Sequence, residues 1–243
     1  MIKIITLITQ FIIVTIVALL FGSCNNLNSI TGSGKVIKEK RTVDGKFKSV
    51  QVNNAIDLVI EQSDKTEIIV EADDNLQKEI TAKVENGVLI ISCKYSNFIN
   101  IESKKVTVKM PIIEGLEASS ASTINSNNTL KGDNLSISSS SAASINVAAE
   151  FESIQSEASS GSSQTINGKA IHLETTASSG GVTDASKLLA NEVVADVSSG
   201  GSIQTHPIIS LKAEASSGGN INYDSTPKSI QKEEHSGGSI HQD

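Results

Sequence analysis

A run of small residues, a Ser pair followed by Gly or Ala, returns along the second half of this chain at near-constant spacing. That recurrence restricts the fold more than any other feature. The residue after the Ser pair falls at Ala121, Ala142, Gly161, Gly180, Gly200 and Gly218, and the shorter Ser236-Gly237-Gly238 continues the series. The intervals are 21, 19, 19, 20, 18 and 19 residues. From Glu117 to Asp243, 29 of 127 residues are Ser, a composition that by itself would suit a disordered linker. A disordered tail has no reason to hold such a register.

Apolar residues keep time with the Ser pairs. Before each pair the chain alternates, as in Leu135 and Ile137, Ile154 and Ala158, Ile171, Leu173 and Ala177, Val193, Ala195 and Val197, and Ile209, Leu211, Ala213 and Ala215. This parity predicts that the first Ser of each pair points outward and the second inward, as a hydrogen-bonded Ser column. After each pair an aliphatic residue returns, at Ile124, Ile145, Ile166, Val182, Ile203, Ile221 and Ile240. A period near 19 is too short for paired-helix repeats and suits one coil of a parallel β-solenoid. Stacked coils bury what a single coil cannot. The expected fold is all-β, a right-handed parallel β-helix with coils of about 19 residues. The small-residue motif forms a corner, where Gly permits bends closed to other residues.

The preceding residues also read as strands. Val50 and Val52, Ile56, Leu58 and Ile60, Ile68, Val70 and Ala72, and Val106, Val108 and Met110 alternate with polar residues, the signature of a half-buried strand. Asn86-Gly87 lies between Ile80, Ala82 and Val84 and the pair Leu89 and Ile91. Such a dipeptide is a strong hairpin signal, because both residues accept positive φ. Asp73–Gln77 is expected to be a short helical or irregular connection. Pro111 ends the last of these strands, since it cannot donate to a ladder.

At the N-terminus, Lys3 precedes an apolar run from Ile4 to Leu20, and Gly22-Ser23-Cys24 follows. A basic start, an apolar core and small residues before a cleavage point read as a secretory leader. The ending resembles a bacterial lipobox, with Cys24 as the lipid-attachment site; an uncleaved transmembrane anchor is the alternative. The expected organisation is a leader over 1–23, a polar tether over 24–33, a strand-rich part over 34–112 and solenoid repeats over 113–243. Cys93 is then the remaining cysteine, and its alternation with Leu89 and Ile91 places it in the core as a small hydrophobe.

The formal charge is −7, spread rather than blocked. It argues against nucleic acid, which demands clustered Lys and Arg, and against a polybasic grip on lipid. Lipid at Cys24 would hold the chain to the membrane instead.

The segments Gly34–Val52 (GKVIKEKRTVDGKFKSVQV), Ile56–Gln62 (IDLVIEQ) and Val70–Leu76 (VEADDNL) resemble the start of the auto-transporter adhesin head GIN domain family, formerly a domain of unknown function common in Bacteroidetes lipoproteins. The resemblance covers about residues 34–243. It implies a β-helical, envelope-associated adhesin and carries no catalytic residues to transfer.

β-helices also host polysaccharide lyases and hydrolases, whose sites need clustered carboxylates, often with a cation. Glu157, Glu174, Asp196 and Glu214 lie outward at coil spacing and are expected to stack in a column; a solvated face is the plainer reading. After the leader the chain has no Trp and only Tyr95, Tyr223, Phe47, Phe98 and Phe151, few for a sugar-binding platform. His235, His241 and Asp243 sit at the terminus without a tight ligand pair. No cofactor, metal or catalytic residue is therefore expected, and the chain is not expected to be an enzyme. The expected function is a lipid-anchored cell-envelope binding protein, an adhesin of the outer membrane with a protein or glycan ligand. A structural or stress-related lipoprotein without a ligand is the alternative, and a carbohydrate-active enzyme the weakest reading. An exposed contiguous patch favours binding; a groove lined by three or more carboxylates favours an enzyme. Lys232 and Glu234 fall on inward parity in the final coil. They are expected to cap the solenoid and keep it monomeric.

Overall fold

In the computed structural model the described residues are 28–243; the leader and Cys24 lie outside them. The described residues contain strands and turns but no α-helix. Seventeen strands form one sheet wound into a β-solenoid of about seven coils, and a two-stranded parallel pair, Ser29–Thr31 with Asn97–Ile99, stands apart.

Each coil leaves its Ser corner along an exit face, crosses a linking side, and returns to the next corner along an entry face. Ser144–Ala158, Ser163–Ala177, Val182–Val197 and Ser202–Ala215 are single long strands that run through all three, each pairing in parallel with the next. On the entry face Leu135, Ile154, Leu173, Val193 and Leu211 stack in register, and all are buried. On this face the unbroken ladder pairs the backbone of one coil with the next.

The corner is a turn with two consecutive left-handed residues. In the coil at Ser198, Ser199 (φ 51) and Gly200 (φ 71) are left-handed, and Gly201 N–H donates to Ser198 C=O at 2.9 Å. This is type I′ geometry. Corners also stack: Gly180 N–H donates to Ser199 C=O at 3.2 Å, and Gly200 N–H to Ser217 C=O at 3.2 Å. The expected inward column of second Ser residues is therefore corrected. Ser120, Ser141, Ser160, Ser179, Ser199 and Ser217 are exposed, because the left-handed turn swings them outward. The fourth corner residue points inward instead, as Ser122, Ala143, Ser162, Gly181, Gly201, Gly219 and Gly238. At Gly201 a Cβ would meet Ala177 O at 2.6 Å.

Register corrects a second expectation. Ile124, Ile145, Ile203, Ile221 and Ile240 share one inward column, but Gln164 and Thr183 occupy it in the two middle coils, and Val182 is exposed. The buried Gln164 is satisfied: its Nε2 donates to Ser139 Oγ (2.9 Å) and to Glu157 O (2.6 Å), and its Oε1 accepts from Ser156 Oγ (2.7 Å). Burying an amide is tolerable when its partners are supplied.

The N-terminal strands belong to the same stack, but not in sequence order. Ser49–Val52 lies between Val88–Cys93 and Gly115–Ala118, and Asp57–Gln62 between Lys104–Met110 and Thr123–Ser126, all parallel. Beyond them the strands turn antiparallel. Ile80–Glu85 closes one face through the expected hairpin, with Asn86 at φ 51 and Gly87 at φ 80. Glu67–Asp73 and then Val36–Arg41 close the other. Residues 74–78 form turns, with Gln77 N–H donating to Asp73 C=O at 3.2 Å. The buried Asp73 carboxylate accepts from the backbone N–H groups of Gly34 (2.9 Å), Glu102 (3.0 Å) and Ser103 (2.9 Å), tying the start of the strand-rich part to the body. Cys93 is buried, which pushes its thiol pKa up.

At the far end, Ser229–Glu234 pairs with Ser202–Ala215 so that Lys232 lies over Ala213 and Glu234 over Ala215. Lys232 Nζ sits 4.6 Å from the centre of the Tyr223 ring, and Glu234 Oε1 accepts from Ile240 N–H at 2.7 Å. The two charges cover the last core layer, as their parity predicts.

Candidate functional site

The linking side carries the concave surface of the solenoid, and irregular pairing puts it there. The ladder slips between Thr165 and Gly168, between Ala185 and Leu189, and between Ala190 and Glu192. All three slips fall on this side, and bulges of this kind re-aim side chains. Gly168 (φ 124) makes the first possible, since a Cβ there would meet Ala149 O. The inward parity also changes within two of these coils, between Ala170 and Leu173 and between Ala185 and Leu188. Ile171 (45% exposed), Leu189 (42%) and Ile208 (42%) project outward. Ile171 and Ile209, read from the sequence as inward, are thus corrected to outward positions.

These three side chains border an open groove of about 640 Å³ whose floor includes Phe151 and Ala170. Gly132 stacks on Phe151, and a Cβ there would meet the Phe151 ring at 2.8 Å. The rim is charged. Lys131, Glu150 and Lys169 stack on successive coils next to Leu189, and Lys131 Nζ lies 2.7 Å from Glu150 Oε2. That hydrogen bond and the lysine charge hold the Glu150 carboxyl below its ordinary pKa.

Two further concavities continue the groove towards the N-terminal end. The first, about 380 Å³, shares Lys131, Gly132 and Asp133 with the groove. It also shares Lys48, Pro111 and Ile112 with a pocket of about 520 Å³ beside Val43 and Phe47. Gln62 pins this junction: its Nε2 donates to Lys131 O (2.8 Å) and Pro111 O (3.1 Å), while its Oε1 accepts from Lys131 N–H (2.6 Å).

Asp133, Glu150 and Glu152 all line the groove, which meets the carboxylate count set for an enzyme. The state of Glu150 does not match that chemistry. Glu150 is ion-paired and acidified, whereas a general acid needs a raised pKa. Among the described residues no three His, Cys, Asp or Glu side chains converge on a common metal position. The expected acidic column is partly redrawn: Glu157, Thr176, Asp196, Glu214 and Glu233 stack together, while Glu174 falls in the neighbouring column with Val194 and Lys212. His235 and His241 are exposed at the terminal coil. Cys24 lies outside the described residues.

Residues 46–227 match the family described as "Putative auto-transporter adhesin, head GIN domain". The chain belongs to that family. Among solved structures, the head GIN chain is similar to a putative adhesin from Bacteroides fragilis, with 22% identity and a TM-score of 0.80, covering 88% of this chain and 100% of that one. It is also similar to a putative adhesin from Parabacteroides merdae, at 23% identity and a TM-score of 0.64, covering 89% of this chain and 99% of the other. A putative lipid binding protein from Parabacteroides distasonis is similar at 18% identity and a TM-score of 0.71, covering 88% and 99%. No curated protein matches the chain. These likenesses establish the fold; the family and two of these neighbours are described as putative adhesins, and the third as a putative lipid binding protein.

The groove was not legible beforehand. Ile171, Phe151, Leu189 and Ile208 carry no motif, and the sequence signal, Gly132 and Gly168 within otherwise strand-like runs, does not by itself distinguish a bulge.

Proposed function

We propose that this head GIN domain is a non-enzymatic binding protein of the cell envelope, an adhesin held at the outer membrane through lipid on Cys24. The observation that carries the reading is the groove on the linking side. Ile171, Leu189 and Ile208 form a contiguous exposed apolar strip beside Phe151, rimmed by Lys131, Glu150 and Lys169. Apolar patches with polar rims mark interaction sites. The strip lies on coils paired to their neighbours by backbone ladders, which lowers the ordering that binding costs the protein.

The anchor fits the same reading. The first described strand begins at Ser29, so the chain between Cys24 and the folded body spans at most about 17 Å when fully extended. Acylation at Cys24 would hold the N-terminal end of the solenoid close to the bilayer, and two or more acyl chains would make the attachment stable. Metabolic labelling with a fatty-acid analogue should mark the wild type and not Cys24→Ala. Equal labelling removes the anchor from the proposal.

The binding role is tested with residues 28–243 on arrays of extracellular-matrix proteins and glycans. The wild type should give a saturable signal on at least one of them. The double variant Ile171→Glu, Leu189→Glu should lose most of that signal while keeping the wild-type melting temperature. A variant that binds as well as the wild type removes the groove from the proposal. Silence across both arrays favours the structural lipoprotein without a ligand.

A further inference from the structure

The pocket at the N-terminal end of the linking side differs in charge from the rest of the molecule. Its floor is apolar, made by Val43, Phe47, Ile68, Pro111 and Ile112. Val43 and Phe47 pack against the core, and Ile112 is 48% exposed. Its charged lining is Arg41, Lys46 and Lys48, and no carboxylate lines it. That is a marked local bias in a chain with 27 acidic and 20 basic residues. Two of the cations are already engaged: Arg41 with Glu39 and Gln77, and Lys48 with Glu114 at 2.7 Å. Lys46 is exposed and makes no ion pair among the described residues. The adjoining hollow adds Lys65, equally without an ion pair among the described residues. The other cations of that hollow, Lys40 and Lys109, are matched by Glu67 and Glu61.

We propose that this pocket binds a single-chain anionic amphiphile, a long-chain fatty acid. Its hydrocarbon tail lies on Val43, Phe47, Ile68 and Ile112, and its carboxylate is received by Lys46. The volume of about 520 Å³ falls inside the range of small-molecule sites, about 300–1,000 Å³, and an apolar lining with a few placed polar groups is their usual character. Apolar walls alone would accept any hydrocarbon. The unmatched lysine at the mouth selects for a negative head, and the missing carboxylates remove the repulsion such a head would meet elsewhere on this acidic protein. The segment Thr42–Lys48, bent at Asp44 and Gly45, forms one wall of the pocket and the crossing at Pro111–Ile112 another, so the site is built where the chain leaves the regular coils.

Residues 28–243 should bind cis-parinaric acid, a fluorescent fatty acid, saturably and at one site per chain. Palmitate should displace it, and hexadecanol, which has the same tail without the charge, should displace it at least about tenfold less well, since a lost charge contact of about 1.4 kcal/mol is tenfold in affinity. Ile112→Asp and Lys46→Glu should each weaken binding by about tenfold or more. Both positions are largely exposed, so both variants should melt like the wild type. Leu189→Glu, in the separate groove, should leave binding unchanged. Three results would overturn the proposal: no saturable binding by the wild type, equal displacement by palmitate and hexadecanol, or wild-type affinity in both pocket variants. Uptake seen only on phosphatidylglycerol vesicles, with none of the free acid, would also overturn it and would indicate a membrane-contacting surface. The array experiment on the groove reads a different ligand through different residues, so either idea can fail while the other stands.

Discussion

Between Val50 and Met110 the interior is packed with Ile, Leu, Val and Met, whereas between Ala170 and Ala215 it is packed chiefly with Ala and Thr. The two regions belong to one stack, so the contrast reflects how each is held. In the later coils every strand has a sequence neighbour above and below, paired in parallel and nearly in register. The backbone ladder supplies most of the specification there, and small side chains suffice between its walls. In the N-terminal layers, strands distant in sequence interleave and three of their pairings are antiparallel. Large interlocking side chains and buried polar clamps such as Asp73 and Gln77 then have to select the arrangement. Gln77 Nε2 donates to Ile37 O (2.8 Å) and Val70 O (3.0 Å), joining two of those strands.

The harshest way to break the comparison is to remove the end that a repeating ladder leaves open. Deleting 230–243 takes away the strand carrying Lys232 and Glu234 and uncovers the layer of Leu211 and Ile221. An unpaired edge above an apolar layer invites association. The truncated chain should form concentration-dependent oligomers in light scattering, while the intact chain stays monodisperse. Equal monodispersity would show that the cap does not keep the chain monomeric.

Core substitutions sharpen the contrast itself. Leu58→Ala, in the interleaved region, should cost about 2–5 kcal/mol, measured as a fall in the denaturant midpoint. Ala195→Gly, in a later coil, should cost only about 1 kcal/mol, mostly from backbone entropy. Losses of the same size would mean that the two regions depend on side-chain packing equally.

The corner separates steric from conformational demands. Gly201→Val places side chain against the carbonyl of Ala177 and should cost about 1–3 kcal/mol as overpacking. Gly200→Val meets open space but forces a β-branched residue into left-handed geometry, at about 1–2 kcal/mol. Ser198→Val should change the melting temperature least, and Gly200→Ala should be mild, because Ala121 and Ala142 already hold that place at φ 59 and φ 60. A Ser198 variant that melts as low as Gly200→Val would contradict the corner geometry.

The smallest effect is expected from pH. Hydrogen bonds from Asn127 and Lys109 lower the Glu61 pKa, Lys40 lowers that of Glu67, and Lys131 that of Glu150. In acid the unfolded chain therefore binds more protons than the folded one. Stability from these groups is fully present above the ordinary Glu value, about 4.3, and is lost as pH falls through the lower folded values. All three are surface pairs, so the fall in melting temperature should be slight. Glu61→Gln should reduce it further, and an unchanged acid dependence in that variant would exclude the pair as a contributor.

Much of the fold was legible because its signals are local. The Asn86-Gly87 hairpin, the alternation of Leu58 with Ile60, the end of a strand at Pro111 and the small-residue corners all follow from the steric preferences of neighbouring residues. The failures share a cause as well. Ser199 was read as inward because parity was carried through a corner whose two left-handed residues interrupt it. Ile171 was read as inward because parity was carried back from Leu173 across a change of face that follows Ala170. The groove, assembled from such exceptions, was the least legible part.

The sequence alone determined the coil length, the position of every Ser corner from Ala121 onward and the apolar identity of most inward residues. These depend on backbone sterics and on alternation along one strand, which neighbouring residues encode completely. Only the tertiary structure decided that Ser49–Val52 lies between Val88–Cys93 and Gly115–Ala118, that Gln164 is buried among serines, and that Leu189 and Ile208 share a surface with Phe151. Those arrangements depend on cross-coil hydrogen bonds and side-chain fit between residues far apart in the chain, and each is settled by which stacking leaves no backbone group unpaired and no void unfilled.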